Sequence, residues 1–396
     1  MTDKKSIAVL PFVNISSSNE ADYFADGISE SIINALAKIQ ELKVTSRTSS
    51  FSFRGSNNTI SKIAEKLNVA IILEGSVQLA GATARIRTQL IETNNDFNFW
   101  SESFDRDLKN IFEVQDEISL IVADKLREHL GHFEYGEHLV DEYDVPLETY
   151  KKYLKGRFYL MKLDYSNSLK AIGIFDEVIA ESPSFPLPYL DVNQAYIYMG
   201  TMGIISAYEG FTKAQPYLEK ALELNKDLPE SQLNMAWIEC WQKWDLKQAY
   251  IHINKALSIR PEDNMYITMA NFLTVEGKFE EAMKYCEKAL EIAPFASVNI
   301  YYKGFLYYLM EKYQEALPYF KRSLNIQPEL PFPVVNIGTS YLLMGEHQEG
   351  LAYFENLPED NSGFLAKLGG TTIAQAIIGN KEKAENGIAE LETYLQ

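Results

Sequence analysis

Apolar and polar residues follow two different rhythms in the first 130 residues. Short apolar or alternating stretches indicate strands, whereas apolar residues that recur every three or four positions indicate amphipathic helices. Strands are predicted at Ser6–Phe12, Leu42–Ser46, Val69–Leu79, Ala82–Thr93 and Phe97–Phe104, and helices at Ala21–Ile39, Ile60–Leu67 and Ile111–Leu130. This order predicts a small mixed sheet with helices packed on it. Polar and apolar residues alternate through Arg85–Leu90, so one face of that sheet should be exposed to water.

A helical pattern with a period of about 34 residues begins near residue 147 and is clearest in residues 230–396. A small residue marks the second helix of each unit, where two helices cross closely. These residues are Ala249, Ala282, Ala316, Gly350 and Ala384, at intervals of 33, 34, 34 and 34. The second helices should end before Pro261, Pro294 and Pro328, because proline has no N–H to donate. Glycines 277, 345 and 379 suit left-handed turns within the hairpins.

This period, with its alanine, aromatic and proline positions, resembles the tetratricopeptide repeat. One hairpin cannot bury its apolar face alone, so stacked neighbours are required. Weaker copies at 147–186 and 187–229 bring the array to about seven hairpins. We therefore predict an α/β (mixed-sheet α+β) domain at 1–130, a linker at 131–146 and an all-α tetratricopeptide-repeat superhelix at 147–396.

The resemblance to tetratricopeptide repeats implies a groove lined by the first helix of each hairpin. The residues expected to line it are Asn234, Ile238, Trp241, Ile267, Asn271, Tyr301, Phe305 and Tyr308, followed by Val335, Thr339 and Leu342. Large apolar side chains in a groove favour capture of a peptide or helix from a protein partner. The alternative is that several of these side chains belong to the core between repeats.

Separate blocks of the first 130 residues resemble a second family. The blocks are Ser6–Phe12, Tyr23–Ile28, Arg47–Gly55, Leu73–Val77, Trp100, Asp105–Leu108 and Gln115–Ile118. Together they look like the domain that is similar to the TolB amino-terminal and FlgO-type folds. In bacteria this resemblance implies a place between tetratricopeptide repeats and a signalling output module, such as a class III cyclase or a DNA-binding domain. There is no room for such a module before Ser6, so we expect a stand-alone adaptor or the regulatory half of a larger protein.

One segment of this domain is a candidate ligand loop. Arg47, Ser49, Ser50 and Arg54 follow the second predicted strand and could hold the phosphate of a small ligand or nucleotide. The segment lacks the glycine and lysine spacing of a P-loop. The alternative is that the arginines anchor the loop through backbone carbonyls or Glu74.

Two charged clusters contain residue types that can form chemical sites. His129, His132 and His138 could offer imidazoles to zinc, but Gly131 interrupts the helix and no cysteine is near, which favours a solvated linker and no metal. The carboxylates at 105–107 and 116–117 are interpreted as capping groups, with a salt bridge made by Arg106, rather than as an acid–base pair.

The charge of the chain limits its partners. The net charge is −18, with 14 basic and 18 acidic residues in 1–130 and 23 and 37 in the remainder. An acidic array repels nucleic acid and anionic membrane surfaces, so neither is expected as a partner. No apolar window is long enough to span a bilayer. Cys240 and Cys286 occupy apolar helix positions, which indicates reduced core residues in a cytoplasmic protein.

The absence of a catalytic motif predicts a protein that is not an enzyme and needs no cofactor. The leading hypothesis is a bacterial signalling or regulatory adaptor that binds a protein partner in its repeat groove. One alternative is the regulatory portion of an adenylate or guanylate cyclase or of a transcriptional regulator. Another is a small-ligand or nucleotide sensor acting through the amino-terminal domain. Leu391, Tyr394 and Leu395 leave apolar residues near the carboxyl end, which favours either a further helix or self-association into a homodimer.

Overall fold

The computed structural model describes residues 3–16, 20–162, 164–201, 204–328, 330–357 and 364–394. The chain divides into two compact units, Met1–Thr268 and Met269–Gln396. The first unit contains a sheet with its helices and the first helical hairpins, and the second unit is helical.

The sheet of the first unit has six strands. They are β1 (Asp3–Val9), β2 (Val13–Asn14), β3 (Lys43–Val44), β4 (Val69–Ala80), β5 (Thr83–Glu92) and β6 (Phe97–Asp107). Their order is β3-β1-β4-β5-β6, and β2 pairs with β4. Strand β1 runs parallel to β3 and β4, whereas β4, β5 and β6 form an antiparallel meander. The predicted mixed sheet is therefore confirmed.

Four helices accompany the sheet. They are α1 (Glu20–Ala37), α2 (Arg47–Phe51), α3 (Ile60–Leu67) and α4 (Ile111–Leu130). Helix α2 occupies the segment predicted to be a loop. It forms because Ser46 caps it, its hydroxyl accepting the N–H of Ser49 at 3.4 Å. The second predicted strand is correspondingly shorter and spans only β3.

The two faces of the sheet differ in chemistry because side chains alternate along each strand. One face is apolar and shares a buried core with α1 and α4. Its strand residues include Leu73, Val77, Ile86, Leu90 and Phe104. The opposite face contacts α3 at one end, and beyond that end it is polar. The alternation in β5 predicted this wet face, and the prediction is confirmed.

The segment between α4 and the first hairpin is packed against the sheet domain. Residues 131–146, all described, contain no regular helix or strand, but Phe133 and Leu139 are buried in the core. One carboxylate oxygen of Asp116 on α4 accepts the N–H of Leu139 at 2.7 Å, and the other lies 2.8 Å from Nδ1 of His138. Most of the other residues, including His132 and His138, are exposed to solvent, so the expected solvated linker is docked at a few points by a buried carboxylate and an aromatic anchor.

The helices after residue 147 follow one another as seven successive pairs in the described residues. They are α5 (Leu147–Leu160), α6 (Tyr165–Glu181), α7 (Leu187–Thr201), α8 (Ala207–Leu224), α9 (Pro229–Trp241), α10 (Leu246–Ile259), α11 (Asp263–Val275), α12 (Phe279–Ile292), α13 (Ser297–Leu309), α14 (Tyr313–Ile326), α15 (Pro331–Leu343), α16 (His347–Glu355), α17 (Phe364–Ile378) and α18 (Lys381–Tyr394).

The repeat register predicted from the small residues is confirmed. Ala249, Ala282, Ala316, Gly350 and Ala384 are each the fourth residue of an even-numbered helix from α10 to α18, and all are buried. The three closing prolines each lie two residues beyond the end of a helix. Glycines 277, 345 and 379 have φ values of 75°, 83° and 87°, in the left-handed region.

The structure also shows the surroundings of both cysteines and the character of the helices. Cys240 and Cys286 are free and buried, as predicted. Within the described ranges, none of the helices has both the length and the apolar character needed to cross a bilayer. Leu395, one of the residues that favoured self-association, lies outside the described residues.

Candidate functional site

An open cleft of about 950 Å³ lies on the polar face of the sheet. Strands β4, β5 and β6 form its floor, and the β1–β2 segment and residues 53–60 form its rim. Gly75 on β4 allows Phe12 and β5 to lie close to it, because a Cβ there would lie 2.8 Å from the ring of Phe12 and 2.4 Å from the carbonyl oxygen of Arg87. A cleft of this volume lies within the range of small-molecule sites.

The floor of the cleft contains two rows of polar residues in register across the three strands. Ser76, Arg87 and Ser103 lie side by side in one row. Glu74, Gln89 and Ser101 form the next row. The amide of Gln89 donates to the Glu74 carboxylate and accepts a hydrogen bond of 3.1 Å from the Asn98 amide.

Of the four residues of the predicted ligand loop, only Arg54 lines the cleft. Its guanidinium pairs with Asp26 on α1. Burial raises the pKa of Asp26, and the Arg54 bond offsets this only in part. Ser49 and Ser50 are fully buried within α2, so their hydroxyls are not presented to a ligand from solvent.

Arg47 anchors α2 rather than lining the cleft. Its Nε lies 3.1 Å from the Glu30 carboxylate on α1, and its guanidinium carbon lies 4.2 Å from the ring centre of Phe51. The alternative that the arginines anchor this segment is therefore correct, but the partner proposed for them, Glu74, is not. The two arginines pair with carboxylates of α1, not with Glu74.

A buried ion network joins the sheet domain to the first hairpins of the first unit. Arg157 on α5 pairs with Glu30 on α1 and, at 2.8 Å, with Asp191 on α7. Burial acts against the charge of Glu30, but Arg157 and Arg47 outweigh it and hold the pKa of Glu30 below its ordinary value. Burial raises the pKa of Asp191 to about 6, because Arg157 compensates it incompletely.

The groove residues predicted in the first unit divide between interior and surface. Asn234 and Ile238 are buried and present little surface to a partner, and Ile267 is half-buried. Trp241 stacks on Trp237, with ring centres 6.2 Å apart, and meets Trp244 edge-on. Trp244 is 72% exposed.

Three groove residues predicted in the second unit, Tyr301, Phe305 and Tyr308, stack together with Phe332, and we call these four rings the aromatic ladder. Tyr301 and Phe305 stack at 5.8 Å, Phe305 and Tyr308 at 6.4 Å, and Phe332 on Tyr301 at 6.0 Å. Tyr301 also packs on buried Phe320 at 5.7 Å. The three α13 rings are half-buried, and Phe332 is 37% exposed. One edge of the ladder therefore belongs to the core while the other faces solvent.

The remaining groove candidates flank this set. Asn271 is half-buried on α11, and Leu342 is buried on α15. Val335 is exposed next to the ladder on α15. The hydroxyl of Thr339 donates to the Val335 carbonyl at 3.0 Å, so it is used within its own helix.

The charged clusters considered for chemistry are separated in the fold. His129 stacks on Phe99 at 3.9 Å, and His138 bonds Asp116. Among the described residues, no group of three His, Cys, Asp or Glu side chains is placed to hold a metal. Arg106 donates to the Glu117 carboxylate at 2.7 Å, which confirms the predicted salt bridge.

Arg87 was not singled out in the sequence, although it lies at the centre of the cleft floor. The only signal for it was the alternation of arginine, threonine and glutamine with apolar residues in β5. That pattern indicates which face is wet, but it does not show which polar residue meets a cavity.

Both the amino-terminal domain and the repeats are similar to known protein families. Residues 3–121 match the family model described as HilA/YgeH-like transcriptional regulator, second domain. Residues 261–329 match a tetratricopeptide-repeat model. A curated relative, "Putative adenylate cyclase 3" of Rhizobium meliloti (strain 1021), is 31% identical over 245 residues. The matched region is 61% of this chain and 41% of the relative, so the chain spans less than half of that protein.

Solved structures show a related fold at low identity. The human IFIT1 dimer with PPP-AAAA superposes with a TM-score of 0.55 and 15% identity, covering 71% of this chain and 65% of that one. The human IFIT1 dimer with m7Gppp-AAAA superposes with a TM-score of 0.51 and 14% identity, covering 70% of this chain and 68% of that one. These likenesses concern the fold alone, and the TolB and FlgO resemblance stays a prediction. Residues 3–121 are thus similar to the HilA/YgeH-like second domain, and residues 261–329 are similar to tetratricopeptide repeats.

Proposed function

We propose that this protein is a non-enzymatic regulatory adaptor that binds a segment of a protein partner on the aromatic ladder of its repeats. The single observation that carries the proposal is the row of four stacked rings on α13 and α15, each partly accessible to solvent. The match of residues 261–329 to tetratricopeptide repeats supports it, because this region includes α13. A cytoplasmic location and a homodimer remain predictions alongside it.

The ladder is suited to apolar anchors of a peptide or helix. Its rings are already ordered by stacking and by the Tyr301 hydroxyl, which donates to Asn336 at 3.3 Å. Binding therefore requires little further loss of side-chain freedom. Exposed Val335 widens the apolar surface beyond the rings themselves. A buried aromatic anchor at such a surface contributes about 2 kcal/mol or more to affinity.

A phage-displayed library of random 15-residue peptides, selected on the whole purified chain, tests this proposal. The affinity of selected peptides is then measured by fluorescence anisotropy on variants of the chain. We expect Phe332→Ser and Tyr308→Ser to weaken binding at least about tenfold, which corresponds to about 1.4 kcal/mol.

Tyr307→Ser is the matched control for this test. Tyr307 lies on the same helix as Tyr308 but stacks on Tyr319 of α14 at 5.6 Å, away from the ladder. Its substitution should change peptide affinity by less than about twofold. Equal losses in the control and ladder variants, or failure to select any peptide, would contradict the proposal.

A second candidate is that the chain acts as the regulatory portion of a longer cyclase or transcriptional regulator. It is favoured by the match of residues 3–121 and by a relative named as a cyclase, of which the chain spans 41%. Sequencing the transcript around the codon for Met1 tests this. A reading frame that continues upstream into a cyclase or DNA-binding domain supports the candidate. A stop codon and ribosome-binding site immediately upstream count against it.

A further inference from the structure

We propose that the cleft on the sheet is a binding site for a small organic anion, with Arg87 as the residue that receives the anionic group. This site is separate from the aromatic ladder and does not depend on the adaptor function.

The first support is the row of donors at the floor of the cleft. Arg87 lies between Ser76 on β4 and Ser103 on β6, and all three residues line the cleft. Neighbouring strands are about 4.8 Å apart, so the row presents a guanidinium between two hydroxyls over roughly 10 Å. Within the described part of the chain, none of the three side chains has a hydrogen-bond partner. A phosphate or carboxylate would satisfy donors arranged in this way.

The second support is the contrast between Arg87 and Arg85, which is two residues away on the same strand and face. Arg85 makes two hydrogen bonds with Asp105, at 2.6 and 3.0 Å, and does not line the cleft. Arg87 interacts with Asp105 by Coulombic attraction, without a hydrogen bond. The sheet therefore uses one arginine for a surface ion pair and leaves the donors of the other available.

The carboxylates of the cleft restrict the ligand further. Asp22 already accepts the Asn14 amide at 2.9 Å, and Glu74 accepts the Gln89 amide. Both carboxylates line the cleft and repel a ligand with several negative charges. Glu74 lies two residues from Ser76 along β4 and can accept an N–H or O–H group next to the Arg87 row. Apolar contacts are offered by Phe53 and Ile60 at the rim. The cleft is therefore suited to an organic molecule with one anionic group, polar donors and an apolar part.

A phosphate ester and a carboxylate share this chemistry, and titration of the whole chain distinguishes them. Adenosine 5′-monophosphate represents the first source and L-phenylalanine the second, and inorganic phosphate is the probe without an organic part. Binding is measured by isothermal titration calorimetry up to 10 mM probe. We expect one organic probe to bind at least about tenfold more tightly than inorganic phosphate, and that probe identifies the source.

Two matched variants decide the role of Arg87. Arg87→Gln should weaken binding of the preferred probe at least about tenfold, whereas Arg85→Gln should change it by less than about twofold. Both positions are solvent-exposed, and circular dichroism should show melting temperatures within about 2 °C of the parent chain. The proposal is overturned if neither organic probe binds, if inorganic phosphate binds equally well, or if the two variants behave alike.

Discussion

Replacing Asp191 by asparagine should stabilise the protein at pH 8, although Asp191 takes part in a buried ion pair. The side chain of Asp191 is 5% exposed and shares the Arg157 guanidinium with Glu30. Glu30 has Arg47 as a second cation. Among the described residues, Asp191 pairs only with the shared Arg157, and a buried charge without full compensation is costly. Asparagine has the same shape and can still accept the Arg157 hydrogen bond without carrying charge.

The expected magnitude follows from the pKa of Asp191. Burial raises it from 3.8 to about 6. A difference of about 2 between these pKa values corresponds to about 3 kcal/mol against the charged form. Part of this gain is lost because an amide is a weaker acceptor than a carboxylate, so we expect Asp191→Asn to add about 1–2 kcal/mol at pH 8. That corresponds to an increase of several degrees in melting temperature.

The pH dependence gives the effect a distinct signature. The folded chain binds the Asp191 proton more tightly than the unfolded chain does, so this group contributes more stability as the pH falls from about 7 to about 4. Asparagine does not titrate. The advantage of Asp191→Asn should therefore be largest at pH 8 and should disappear near pH 4.

Urea unfolding followed by circular dichroism at pH 8, 6 and 4 measures these differences, and Glu30→Gln is the matched control. The pKa of Glu30 is held below its ordinary value, so its charge stabilises the fold and this contribution is lost only as the pH falls below about 4.5. Glu30→Gln leaves Arg157 and Arg47 partly unpaired and should cost about 3 kcal/mol at pH 8. A loss of stability in Asp191→Asn at pH 8, or a gain that does not change with pH, would refute the reasoning.

Three further predictions concern packing. Gly369→Ala and Gly370→Ala on α17 should have opposite effects on the free energy of unfolding in urea. A Cβ at Gly369 meets nothing within 4 Å, so this variant should be more stable by about 0.5–1 kcal/mol. A Cβ at Gly370 would lie 2.1 Å from the Phe354 ring, so this variant should be less stable by at least about 1–3 kcal/mol. Phe133→Ala should cost about 3–5 kcal/mol in the same assay because the ring is fully buried, and a cost below 1 kcal/mol would show that residues 131–146 are not docked. Cys286 should resist thiol reagents at pH 8 until the chain unfolds, because burial raises the pKa of its thiol to about 12; rapid labelling of the folded chain would count against this.

The features that depend on neighbouring residues were predictable from the sequence. The roles of the small residues, prolines and glycines of the repeats were predicted correctly because each acts within one hairpin. The small residues allow helices to cross closely, the prolines end helices, and the glycines adopt left-handed turns. The strands β4 and β5 were found for the same reason, since alternation is a property of neighbouring residues. Helix α2 was missed because five residues are too few to show a helical period, and its existence depends on the Ser46 cap.

The partners of charged and polar residues could not be derived in the same way. Arg47 and Arg54 were predicted either to hold a ligand or to anchor their loop through backbone carbonyls or Glu74, but they pair with Glu30 and Asp26 on α1. Phe133 and His138 looked like residues of a solvated linker, yet a single carboxylate on α4 holds that segment.

The sequence alone determined the kinds of elements, their order and the repeat register, because periodicity and turn chemistry act over a few neighbouring residues. It also indicated that one face of the sheet would be polar. Only the tertiary structure decided that Ser76, Arg87 and Ser103 meet in one row of a cleft, and that Glu30, Arg157 and Asp191 share one buried network. These residues are far apart in the chain, and their proximity depends on strand register and helix packing, to which the whole core contributes.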